Sequence, residues 1–175
     1  MKNRSRNTYL VGFVLVLFVL SSFFFYCGKS EEDTILETVD KIGDYTEDRD
    51  MDGLLDFISA DYSDDEERTY ADIEELVKKH FDRSRGIVVN VLVTKITTLA
   101  VPEAELETEL ALSSGAAKLF RKAVRYSGRF YRFRLSLVKE GEVWRCKKAH
   151  WEQIYLHELF PESVKLMKKL FPNLF

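Results

Sequence analysis

The segment 129–151, RFYRFRLSLVKEGEVWRCKKAHW, constrains the fold more than any other stretch of the chain. Tyr131, Phe133, Leu135 and Leu137 alternate with Arg132, Arg134 and Ser136, the period of two that belongs to a half-buried antiparallel strand. A tight turn at Lys139-Glu140-Gly141-Glu142 sends the chain back through Trp144 and Trp151, the only two tryptophans. A hairpin this aromatic requires a layer to cover it.

The strand before it alternates even more cleanly. Ala104, Leu106, Thr108, Leu110 and Leu112 point one way, and Glu103, Glu105, Glu107 and Glu109 the other. If this strand pairs with 129–139, the glutamates face Arg132 and Arg134 across the outer surface. Exposed pairs of that kind contribute about 0.2–1 kcal/mol each, so their expected role is register and solubility. Upstream, 86–99 (GIVVNVLVTKITTL) is β-branched and apolar on both faces at its start. The intervening 113–128 is compatible with a long loop, a helical turn or an irregular strand.

The covering layer comes from 30–82. Ser30-Glu31-Glu32-Asp33 has the hydroxyl and acids of a helix start, and Ile35, Leu36, Val39 and Ile42 follow at helical spacing until Gly43 closes the run. A short second helix spans 51–58, with Met51, Leu54, Leu55 and Ile58 on one stripe. The acidic 59–68 reads as a loop. A third helix over 69–82 presents Tyr70, Ile73, Leu76, Val77, His80 and Phe81. His80 on that stripe is more simply a core or rim histidine than a ligand or catalyst.

Asp48, Asp50 and Asp52 followed by Gly53 match the opening of a calcium-binding loop, but Ser59 stands where the bidentate glutamate belongs. A carboxylate capping the short helix is the simpler reading, and no metal or other cofactor is expected.

At the N-terminus, Lys2, Arg4 and Arg6 precede the apolar run LVGFVLVLFVLSSFFFY at 10–26, and Cys27 follows. This resembles a bacterial lipoprotein signal peptide, with Cys27 as the lipidated residue. Phe24, Phe25 and Tyr26 depart from the Leu-small-Gly/Ala pattern before the cysteine. An uncleaved anchor helix therefore remains the alternative. Both place the rest of the chain in the cell envelope, outside the inner membrane. Residues 1–26 hold three basic side chains and no acid, so the remainder, 23 basic against 29 acidic, stands at −6. An acidic domain without a basic stripe excludes nucleic acid as a partner.

The expected architecture is α+β: three N-terminal helices on the concave face of a curved, about four-stranded antiparallel sheet, plus a C-terminal helix. The element order, with the segments DMDGLLDFISADY and WRCKKAHWE, resembles the nuclear-transport-factor-like, cystatin-like superfamily over about residues 31–152. The resemblance implies a pocket between helices and sheet, shared by binding proteins and by isomerases and dehydratases. The expected organisation is a signal or anchor (1–26), a tether (27–32), the α+β domain (33–152) and an amphipathic extension (153–175).

Candidate pocket groups are His80, Asn90, Thr94, Thr108, Tyr131, Phe133, Trp144 and His150. No inward acid is evident for proton abstraction, and the side of His150, past a possible bulge at Lys147-Lys148, stays open. Cys146 is expected to be a buried, unreactive thiol. A core filled by its own side chains is the simpler expectation for the hairpin's inner row. Val164, Met167, Leu170 and Phe171 oppose Lys165, Lys168 and Lys169. That stripe suits packing on its own domain over the pocket mouth, a homodimer or envelope partner, or a membrane surface. The functional expectation is a membrane-tethered protein that binds a small apolar ligand or a protein partner without catalysis. The alternatives are an isomerase or dehydratase using the same pocket, and a structural subunit of an envelope assembly.

Overall fold

The computed structural model describes residues 29–84, 86–114 and 129–170. The readings of 1–26, of Cys27, of 115–128 and of Phe171 lie outside the described residues. The chain divides into two units, Met1–Asp33 and Thr34–Phe175. In the first, Ser30 Oγ accepts the Asp33 N–H at 3.1 Å and the Asp33 carboxylate accepts the Ser30 N–H at 3.3 Å, the reciprocal cap expected of a helix start.

Ten elements follow: α1 (Glu31–Asp48), α2 (Met51–Leu55), β1 (Ile58–Asp64), α3 (Tyr70–Arg83), β2 (Ile87–Ala100), β3 (Glu103–Ser114), β4 (Arg129–Glu140), β5 (Val143–Ile154), a 3-10 turn (Leu156–Glu158) and α4 (Pro161–Leu170). Their boundaries have local causes. Asp50 caps α2 by accepting the Gly53 N–H at 3.0 Å, so this aspartate of the calcium-like stretch serves a helix end. At Gly53 a Cβ would lie 2.5 Å from the Tyr45 ring, so no side chain fits there. Thr69 and Asp72 close a capping box at the start of α3. Gly141, at φ +64°, turns the two-residue loop between β4 and β5.

The sheet is five-stranded and mixed, in the order β1-β5-β4-β3-β2. The four strands read from the sequence pair antiparallel, with Glu107 opposite Arg134 and Glu109 opposite Arg132. The fifth, β1, lies inside the segment expected to be a loop and runs parallel to β5. Its buried residues, Ser59, Tyr62 and Asp64, are polar, so it carries no hydrophobic alternation. The second helix accordingly ends at Leu55 rather than at 58. The first helix runs through Gly43 to Asp48, because Gly43 faces the sheet 3.5 Å from Val89 Cγ1 instead of ending the helix.

The sheet is covered on both faces. Ile35 and Val39 of α1, Ile73 of α3, and Tyr62, Leu106, Leu137 and Trp144 of the strands form the core on the inner face, under α1–α3. Ala111, Leu92, Phe130 and Ile154 alternate to the other face, where Leu159 and Met167 cover them. The C-terminal extension thus packs on its own domain, but behind the sheet and not over the pocket mouth. The described core clusters lie entirely within Thr34–Phe175, and none draws on residues 1–28.

Candidate functional site: an apolar cavity between the helices and the sheet

The inner face is not filled by its own side chains. A cavity of about 380 Å³ lies between α1, α3 and the sheet, within the ~300–1,000 Å³ span of small-molecule sites. Val39, Ile42 and Gly43 of α1 form one wall and Ile73, Val77 and Phe81 of α3 another. Leu110, Phe133, Leu135 and Ala149 form the floor. Leu76 and His80, both on α3 and both exposed, mark where the cavity meets solvent. Gly43 matters here because its missing side chain widens the α1 wall over Val89 and Val91.

Of the candidate pocket residues, His80, Thr108 and Phe133 line this space. Asn90, Tyr131, Trp144 and His150 do not. Asn90 alternates with the lining residues Val89 and Val91, and Trp144 is fully buried in the inner core beyond the cavity. Tyr131 packs against Phe133 without reaching the lining. Thr94 pairs with Thr108 on the same face of the sheet, its hydroxyl 2.9 Å from that of Thr108, without reaching the lining. His150 is decided by a bulge at the expected place. Ser136 pairs with Lys148 but Leu137 pairs with Cys146, leaving Lys147 as the extra residue. The bulge keeps Cys146, Ala149 and Trp151 on the cavity side and directs the His150 ring to Asp65, outside the lining.

The polar end of the cavity was not legible as a site. Tyr62 of β1, 5% exposed, and Trp151 line it. Behind Tyr62, the Asp64 carboxylate accepts Arg68 Nε at 2.6 Å and the N–H groups of Glu66 and Arg68 at 2.9 and 3.0 Å. The Arg68 guanidinium lies 4.6 Å over the Trp151 ring. Burial alone would raise the Asp64 pKa, but these three donors hold it below the usual carboxylate range. Burial pushes the Tyr62 hydroxyl well above its ordinary value, with Cys146 and Asp64 adding to the effect. Cys146, also in the lining, is pushed by burial to about 12 and stays a thiol. The one signal for this cluster was the two-residue spacing of Tyr62 and Asp64, masked by the acids around them.

Among the described lining residues none is Asp, Glu, Lys or Arg. Among the described residues no group of three or more His, Cys, Asp or Glu side chains is placed to hold a metal. No described helix is long and apolar enough to cross a membrane.

No protein-family model matches the sequence, and no curated protein is similar to it. Solved structures share its architecture. A provisionally assigned scytalone dehydratase from Novosphingobium aromaticivorans superimposes with a TM-score of 0.60 at 12% identity, over 71% of this chain and 85% of that one. The fold is that of the NTF2-like, cystatin-like proteins. A second NTF2-like structure, a provisionally assigned dehydratase from Streptomyces avermitilis, gives 0.59 at 9% identity over 71% and 97% of the two chains. A third, an NTF2-like protein of unknown function from Pseudomonas putida, gives 0.57 at 16% identity over 77% and 98%. All three pairs agree on the NTF2-like fold at identities that carry no activity across.

Proposed function

We propose that this is a membrane-tethered bacterial envelope protein whose NTF2-like domain binds a small apolar ligand without transforming it. The observation that carries the reading is the cavity, about 380 Å³ and walled by aliphatic and aromatic side chains, with no carboxylate or amine among its described lining residues. Such a lining rewards transfer of hydrocarbon from water at roughly 25 cal/mol per Å², and the His80 imidazole at its mouth is the one described lining group able to take a proton from carbon. The basic n-region, the apolar run and Cys27 support the tether. Under this reading residues 1–26 are removed and Cys27 is acylated. Mass spectrometry of the mature chain tests the tether: an intact Met1 rejects it in its lipoprotein form. Titration of residues 29–175 with a neutral apolar fluorophore tests the ligand: absence of saturable binding rejects it.

A second reading, an isomerase or dehydratase in the same cavity, draws on one observation. Tyr62 and His80 bring an O–H and an imidazole into the wall. It requires turnover of a hydroxy- or enone-carbonyl compound that Tyr62→Phe abolishes.

A further inference from the structure

We infer that the cavity selects neutral ligands, largely hydrocarbon molecules carrying one carbonyl or ester oxygen that docks at Tyr62, and excludes the corresponding carboxylates. The inference rests on the ligand-binding reading above and specifies its chemistry.

The polar groups of the lining are mostly committed elsewhere. Thr46 Oγ1 donates to the Ile42 carbonyl at 2.6 Å, and the Thr108 hydroxyl is shared with Thr94 and with the Val93 carbonyl at 3.2 Å. The Cys146 thiol points to the Lys148 carbonyl at 3.4 Å. Tyr62 differs. Its hydroxyl meets Asp64 Oδ2 at 3.5 Å, the outer limit of a hydrogen bond, while that same oxygen takes Arg68 Nε at 2.6 Å. Asp64 is satisfied by shorter bonds, so the buried Tyr62 proton is held loosely and is available to an acceptor in the cavity. Its burial keeps that proton in place, which makes the group a donor and not an anion.

The surrounding charge sets the sign of the discrimination. Behind Tyr62 stands the buried Asp64 carboxylate, which engages Arg68 Nε at 2.6 Å, while the exposed Glu66 takes Arg68 Nη1 at 3.1 Å. A ligand carboxylate at Tyr62 would leave water, approach the buried Asp64 carboxylate, whose partner Arg68 is already engaged, and find no Lys or Arg among the described lining residues. A carbonyl or ester oxygen takes the same hydrogen bond without that cost.

The test uses residues 29–175 loaded with the neutral probe N-phenyl-naphthylamine and displaced by methyl decanoate, decanoate or decane at neutral pH. The ester is expected to displace the probe at least about tenfold more tightly than the carboxylate. Tyr62→Phe is expected to weaken the ester by about threefold to tenfold, the loss of one hydrogen bond, and to leave decane unchanged. Decanoate binding as tightly as the ester overturns the inference, as does an unaltered ester affinity in Tyr62→Phe. In either case bound probe and decane leave the ligand-binding reading standing. Failure of probe and decane alike removes that reading and the inference with it. If Tyr62→Phe does not fold, the ester-to-carboxylate ratio in the unaltered protein decides alone.

Discussion

Glu109 and Arg132 form an ion pair behind the sheet, with Arg132 Nη2 2.7 Å from Glu109 Oε1 and the Glu109 side chain 0% exposed. The pair is a clamp for the C-terminal segment. Glu109 also accepts the Phe160 N–H at 2.9 Å and the Ser163 hydroxyl at 2.6 Å, and the Arg132 guanidinium lies 4.5 Å over the Phe160 ring. A buried charge stripped of its partner costs about 3–5 kcal/mol, whereas replacing both partners by apolar groups costs far less. Arg132→Met is therefore expected to lower the unfolding free energy read from urea denaturation by that amount, and Glu109→Leu/Arg132→Met to recover part of it. An Arg132→Met variant as stable as the unaltered protein contradicts the clamp.

The Asp64–Arg68 pair predicts acid sensitivity. The folded pKa of Asp64 lies below its unfolded value, so the stability it contributes is complete above roughly pH 4 and is lost as pH falls through the folded value. Asp64→Asn is expected to cost about 1.5–3 kcal/mol at neutral pH and progressively less in acid. Urea unfolding of both proteins across this range checks it.

Two glycines are predicted to respond in opposite ways. A Cβ at Gly53 meets the Tyr45 ring at 2.5 Å, so Gly53→Ala should destabilise by about 1–3 kcal/mol. At Gly43 the nearest atom is Val89 Cγ1 at 3.5 Å, an ordinary contact. Gly43→Ala in mid-helix should stabilise by up to about 1 kcal/mol. Melting temperatures of the two variants separate these outcomes.

Cys146 is the single thiol of residues 29–175 and is 3% exposed. It should resist a thiol reagent in mildly alkaline buffer, react at once in denaturant, and be slowed further by any ligand that fills the cavity. Rapid native labelling would contradict its burial.

The antiparallel half of the sheet was legible because β3 and β4 alternate strictly, and the alternation fixes both facing and register. β1 was not legible, since its buried residues Ser59, Tyr62 and Asp64 are polar and bonded to Glu140, Asp64 and Arg68 rather than forming a hydrophobic row. The same parity that located Glu109 made it look solvated. Only the arrival of Phe160 and Ser163, more than fifty positions later, turns it into a buried charge. His80, Thr108 and Phe133 fell on the cavity from periodicity alone, whereas His150 depended on the bulge at Lys147, which no period announces.

A fluorescence titration of residues 29–175 with N-phenyl-naphthylamine decides whether the open apolar cavity takes a ligand. Saturable one-to-one binding with a Kd of about micromolar order is expected, weakened at least about tenfold by Ala149→Leu, which fills the floor of the cavity. No saturable binding, or undiminished binding in a folded Ala149→Leu variant, would contradict the account.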